Sequence, residues 1–128
     1  MKVIICGAGQ VGWQIARHLS GEKNDVTVVD VNADLVRRAG GEAVVVRCDV
    51  RQPDAVEGLA HEVEQRFGGV DVVVNNAGVA VGGRVGEVAL SDWRWVVDIN
   101  LWGVIHGCHT FVPRLRRAGA GHVINVAS

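Results

Sequence analysis

No tyrosine occurs in this sequence of 128 residues, so no phenol is on hand as an acid or a base. Proline is nearly as scarce, with two residues against 17 glycines. The three cysteines, Cys6, Cys48 and Cys108, are odd in number and widely spaced, which argues against a disulfide framework or a zinc site. A reducing, cytoplasmic setting is therefore expected. Charge of neither sign is in excess: 13 basic and 14 acidic residues leave a net charge of −1. Nucleic acid and anionic membrane both call for a concentrated basic surface, so neither is expected as a partner. The apolar runs are strand-sized, far short of the roughly 20 residues that cross a bilayer. The chain opens directly on a strand-like run, Lys2–Cys6, without the basic and apolar regions of a secretion signal.

What the chain does have is 48% hydrophobic residues, enough for one packed domain over residues 1–128. Residues 2–6, 25–30, 42–48, 71–75 and 122–127 are short runs rich in Val and Ile. They are nearly continuous rather than alternating, as expected of strands buried on both faces. Between them, residues 10–20, 33–39, 53–67 and 91–118 have helical character, with Pro53 suited to a first turn and Ser91 to an N-cap. Strands alternating with helices predict an α/β fold with parallel pairing through right-handed crossovers.

The first strand runs into Gly7, Gly9 and Gly12 at the start of a helix, and the second ends in Asp30, 18 residues beyond Gly12. That context gives a glycine-rich loop its meaning: tight turn, close backbone approach to a pyrophosphate, close packing of helix on sheet. The free N–H groups and dipole at the helix start, around Gln10 and Val11, favour phosphate. Asp30 is placed to accept hydrogen bonds from the adenosine ribose and to repel a 2′-phosphate, favouring NAD(H) over NADP(H). ADP and ATP share these contacts.

Residues 1–38, "MKVIICGAGQVGWQIARHLSGEKNDVTVVDVNADLVRR", resemble the nucleotide-binding regulatory domains of potassium-uptake systems (RCK/KTN type). Such domains bind NAD(H) or adenine nucleotides and are not enzymes. From about Gly40, "GGEAVVVRCDV", "GGVDVVVNNAGVAVGG", "DWRWVVDINLWGVIHGCHTFVPRL" and "GHVINVAS" resemble the middle of a short-chain dehydrogenase/reductase. That resemblance implies a Rossmann-like three-layer α/β/α sandwich with five parallel strands in order 3-2-1-4-5. It implies that Asp49, beside Val50, meets the adenine amino group, and that Asn75, Asn76, Ala77 and Gly78 support the sheet and border the cofactor. Asn100 matches the asparagine that positions a water in the proton relay, and Ser128 the serine that meets the substrate carbonyl.

The chain departs from that family in its glycine loop and in lacking a Tyr-x-x-x-Lys motif, its lysines being Lys2 and Lys23 alone. These departures lead to an expectation of an engineered chimera, truncated at Ser128 and joined within residues 35–43. Such a chain would not be an enzyme, and Asn100 and Ser128 would be vestigial. It would bind the adenosine diphosphate half of NAD(H) weakly, with Kd of about 10 μM to 1 mM. Apolar surface left by the truncation, including Trp93, Trp95 and Trp102, would favour a homodimer. His106 and His109 lie one helical turn apart without a convincing third ligand, so no metal site is expected.

Overall fold

In the computed structural model, residues 1–30, 32, 34 and 44–127 are described. The helix expected over 33–39, the join expected in 35–43, and Ser128 lie outside them. The described residues form five strands, β1 (Lys2–Cys6), β2 (Asp25–Asp30), β3 (Val44–Arg47), β4 (Val72–Asn75) and β5 (His122–Asn125). All pair in parallel, in the order β3-β2-β1-β4-β5. This is the Rossmann-like arrangement expected from the sequence. The order reverses direction between β1 and β4, where the strands' carboxyl ends open a crevice.

Helix α1 (Gln10–Ser20) covers one face of the sheet, and α2 (Pro53–Phe67) and a later helix cover the other. On the α1 side Val3, Ile5, Val26, Val28 and Val74 pack with Ala16, Trp13 and Leu19. On the opposite side Ile4, Cys6, Val29 and Val73 meet Val56, Leu59, Val63, Phe111 and Leu115. The alternation of neighbours such as Ile4 and Ile5 between two apolar layers is the period-2 geometry of a strand covered on both faces. Toward β5 the α1-side cover ends: Ile124, paired in register with Val74, is 49% exposed.

The helix expected over 91–118 is three segments in one continuous rod. Helix α3 (Leu90–Val97) passes through a π-helical turn, Asp98–Trp102, into α4 (Gly103–Ala118). Its N-cap is Ala89 rather than Ser91, which sits inside the first turn, and no side chain caps that end. Helix α2 begins as expected, with Pro53 in its first turn, and ends at Gly68 in the left-handed region, φ 74°. Arg114 of α4 ties the two helices together by hydrogen bonding to Glu57 and Glu64 of α2. Among the described residues no helix is long and apolar enough to cross a membrane.

Candidate functional site

A cavity of about 470 Å³ lies at the carboxyl ends of the strands. Four stretches frame it: the glycine loop with the start of α1, the end of β2, the loop after β3, and the segment after β4. Trp95 and Ile99 close one side.

The glycine loop is built around two positions that admit no side chain. Gly7 has φ +105°, and a Cβ there would lie 2.8 Å from the Ala77 Cα. At Gly12 a Cβ would run into the Gly7 carbonyl oxygen and come within 2.9 Å of the Asn76 amide nitrogen. The loop is tied on both sides. Gly7 donates its N–H to the Val29 carbonyl at 2.7 Å, and Asn76 Nδ2 donates to the Gly7 carbonyl at 3.2 Å.

Gly9 is the N-cap of α1, and the first-turn N–H groups of Gln10, Val11 and Gly12 have no intrahelical acceptor. No acidic residue stands in that turn, while Arg17 and His18 occupy the last. The positive end of the helix dipole therefore faces the cavity without a carboxylate of its own helix to satisfy it.

Asp30 closes β2 at the cavity edge. Its Oδ2 accepts the Ala8 N–H at 2.8 Å and its Oδ1 the Asn32 N–H at 2.8 Å. Each carboxylate oxygen has a second lone pair, so this anchored acid can accept further hydrogen bonds. Asp49 lies across the cavity and is less free. It takes the Arg51 guanidinium on both oxygens, Nε at 3.0 and 3.1 Å and Nη2 at 2.7 Å, and also accepts the Arg51 N–H. These bonds hold the Asp49 carboxyl below the usual carboxylate range. Cys48 lines the cavity as an unreactive thiol: burial, with the neighbouring Asp49 charge, pushes it up to about 11.

Of the residues expected to bind nucleotide, the structure brings Gly7, Gly9, Gln10, Val11, Asp30, Asp49, Val50, Ala77 and Gly78 to the cavity wall. Gly12 lies beneath the loop. Asn75 is turned away: it is buried and donates to Asn125 Oδ1 at 2.8 Å, bracing β4 to β5. Asn100 does not line the cavity but clamps its far wall. It accepts the Val79 N–H and donates to the Val79 carbonyl, each at 2.8 Å.

Asn76, expected to border the cofactor, also lines the cavity, while Arg51, Val79, Trp95 and Ile99 line it without having been singled out as binding residues in the sequence. Asn76 follows the last residue of β4, so strand alternation alone turns it toward the glycine loop and turns Asn75 the other way.

A glycine loop, an anchored acid at the end of β2 and a cavity at the reversal of strand order belong to dinucleotide-binding folds in general. The family model "short chain dehydrogenase" matches residues 1–128. The chain belongs to the short-chain dehydrogenase family. It is 35% identical over 132 residues to the meso-2,3-butanediol dehydrogenase of Serratia marcescens, covering 98% of this chain and 52% of that protein. A short-chain dehydrogenase/reductase from Burkholderia phymatum in complex with NAD superposes with a TM-score of 0.93 at 34% identity, over 99% of this chain and 48% of the other. An actinorhodin polyketide ketoreductase variant with NADPH gives 0.91 at 35%, over 99% and 52%.

The chain spans about half the length of the curated relatives it matches. This membership corrects one expectation. A non-enzyme was inferred from the missing tyrosine and lysine, but the relatives are named dehydrogenases and reductases and point to an oxidoreductase. The composition of a stretch matching half of such a protein is no ground for that exclusion. A single family model also spans both sides of residues 35–43.

Proposed function

We propose that this chain supplies the nucleotide-binding half of a short-chain oxidoreductase and that its cavity takes the adenosine diphosphate portion of NAD(H). The observation that carries this reading is Asp30, a carboxylate fixed by Ala8 and Asn32 with lone pairs left for a ribose diol. Beside it stands a helix start with unpaired N–H groups and no acid in its first turn. The residues fit the group: Gly9, Gln10 and Val11 would hold the pyrophosphate, Asp30 the ribose, and Asp49 with Val50 the adenine. Ala77 and Gly78 continue the wall toward the nicotinamide. A bound nicotinamide would supply hydride chemistry, and these residues would help hold it. Asp30 sets the preference for NAD(H), because a 2′-phosphate would bring like charge against it. ADP and ATP fit the same contacts, and affinity in the micromolar-to-millimolar range suits a cavity that contacts mainly the adenosine half.

Two further readings rest on particular features. The apolar surface of α3 through α4, where Trp93, Leu101 and Trp102 are 48–54% exposed, supports pairing with a second copy of the chain. The loop sequence Gly-Ala-Gly-Gln-Val-Gly favours a separate, potassium-uptake-like parentage for the first 38 residues. Matching residues 1–34 and 44–128 separately against both families tests that parentage.

Calorimetric titration of NAD⁺ into the chain and into Asp30→Ala tests the central reading. Loss of one charge-assisted contact predicts an affinity about tenfold lower, with unliganded melting little changed. Equal affinity in both proteins would remove Asp30 from the site.

A further inference from the structure

We infer that His106 is a positioning residue for the adenine end of this cavity, resting on the reading of the cavity as an adenosine site. It reaches from α4 to the loop after β3 and fixes the shape in which Asp49 and Val50 present themselves. His106 Nδ1 lies 2.8 Å from the Val50 carbonyl oxygen. A carbonyl only accepts, so Nδ1 carries the proton and the ring donates. Trp102, one turn earlier, sets its indole beside the imidazole with centroids 5.8 Å apart and planes at 35°, which limits how the ring can swing.

The need for such a tether follows from topology. β3 stands at the sheet edge in the described order, so the chain leaving it has a neighbouring strand on one side only. Val50 there meets Gly103 and His106 of α4. Val50 packs where Gly103 leaves room, since a Cβ at 103 would lie 2.8 Å from Val50 Cγ2. Arg51, paired with Asp49, is also drawn by the Asp98 charge of the π-turn. The hydrogen bond from His106 gives this packed contact a direction: it fixes the plane of the peptide between the second and third residues of the Asp49–Arg51 stretch. The same rod holds the opposite wall through Asn100 and Val79. The π-turn and its following helical turn thereby hold two walls of the cavity, one through Val50 and one through Val79.

Calorimetric titration of ADP into the wild-type chain and three variants tests this. His106→Phe keeps a ring but donates nothing. His106→Asn keeps an amide N–H near the Nδ1 position, whereas His106→Gln moves it about one bond further out. The expected result is ADP affinity about tenfold weaker in His106→Phe and His106→Gln, and within about twofold of wild type in His106→Asn. Should the phenylalanine variant fail to fold, the Asn and Gln variants decide alone. Equal affinities in those two, or an unaffected folded His106→Phe, would overturn the role of His106 while leaving the cavity's assignment intact. A wild-type chain that binds no ADP would overturn both.

Discussion

Asp30 accepts the backbone N–H of Ala8 at 2.8 Å, so the acid that ends β2 is bonded to the loop that opens α1. The group read as choosing the ribose and the loop read as holding the phosphates are therefore one mechanical unit. Asn76 ties that unit to the segment after β4 through the Gly7 carbonyl. Hydrogen bonds of the protein itself thus fix this wall of the cavity, which would lower the ordering cost of binding a nucleotide there.

The tightest point of that unit is Gly12. In Gly12→Ala the added methyl meets the Gly7 carbonyl and the Asn76 amide, and neither can withdraw without opening the loop. A destabilisation of about 1–3 kcal/mol is expected, with the melting midpoint lowered by several degrees and NAD⁺ affinity lost with it. Thermal melting and calorimetric titration of the variant check both parts. Gly58→Ala, where a Cβ would have open space, serves as the control and should melt at or above wild type.

Arg114 governs how the α2–α4 face responds to acid. It donates to Glu57, Glu64 and the Thr110 carbonyl, and its own side chain is 12% exposed. The guanidinium holds the Glu57 carboxyl below the usual glutamate value. A carboxyl depressed in the folded state stabilises above its unfolded pKa, and that contribution is lost as pH falls through the folded value. Glu57 is half exposed, so the effect is screened. Arg114→Met should cost about 1 kcal/mol at pH 7, and the gap from wild type should narrow below about pH 4. Urea melts of both proteins at pH 7 and pH 3.5 measure it. A gap that widens in acid would contradict the sign.

Self-association has an equally direct handle. Leu101 is 54% exposed on the π-turn, away from the cavity wall. If α3 and α4 pair with a second copy, Leu101→Glu places a charge in that contact and should yield a monomer at concentrations where wild type sediments as a dimer. Sedimentation velocity of the two proteins reads this, and a monomeric wild type would dismiss the pairing.

Much of the fold could be read from residues alone, for identifiable reasons. β1, β2, α1 and α2 begin and end where expected, because glycine-rich turns, Pro53 and Gly68 punctuate runs of clear periodicity. The π-turn could not be read. It inserts extra backbone into a helix whose sequence pattern continues through it, and its purpose lies in the partners it must reach, Val79 through Asn100 and Val50 through the turn that follows.

In the site, Gly7 and Gly12 are legible as glycines because the loop leaves no room for a side chain at either. Asn75 was assigned to the cavity when the parity of β4 sends it to Asn125. Val73 packs toward α2 and α4, Val74 toward α1, and Asn75 shares the side of Val73. Arg51 and His106 carry no such signal, since each acts through a partner distant in space or chosen by local rotamer. The exclusion of enzymatic function failed for another reason: it treated the lack of tyrosine in this stretch as a property of the whole activity.

Thermal melting with about 5 mM NAD⁺, ADP or NADP⁺ at fixed protein concentration tests the central claim most directly. For a Kd of about 100 μM, selective binding to the native state contributes about 2.3 kcal/mol, on the order of 5–10 °C for a chain of this size. NAD⁺ and ADP should raise the midpoint and NADP⁺ should not, with the NAD⁺ increment collapsing in Asp30→Ala. A midpoint unmoved by every nucleotide, or raised equally by NADP⁺, would contradict an adenosine site governed by Asp30.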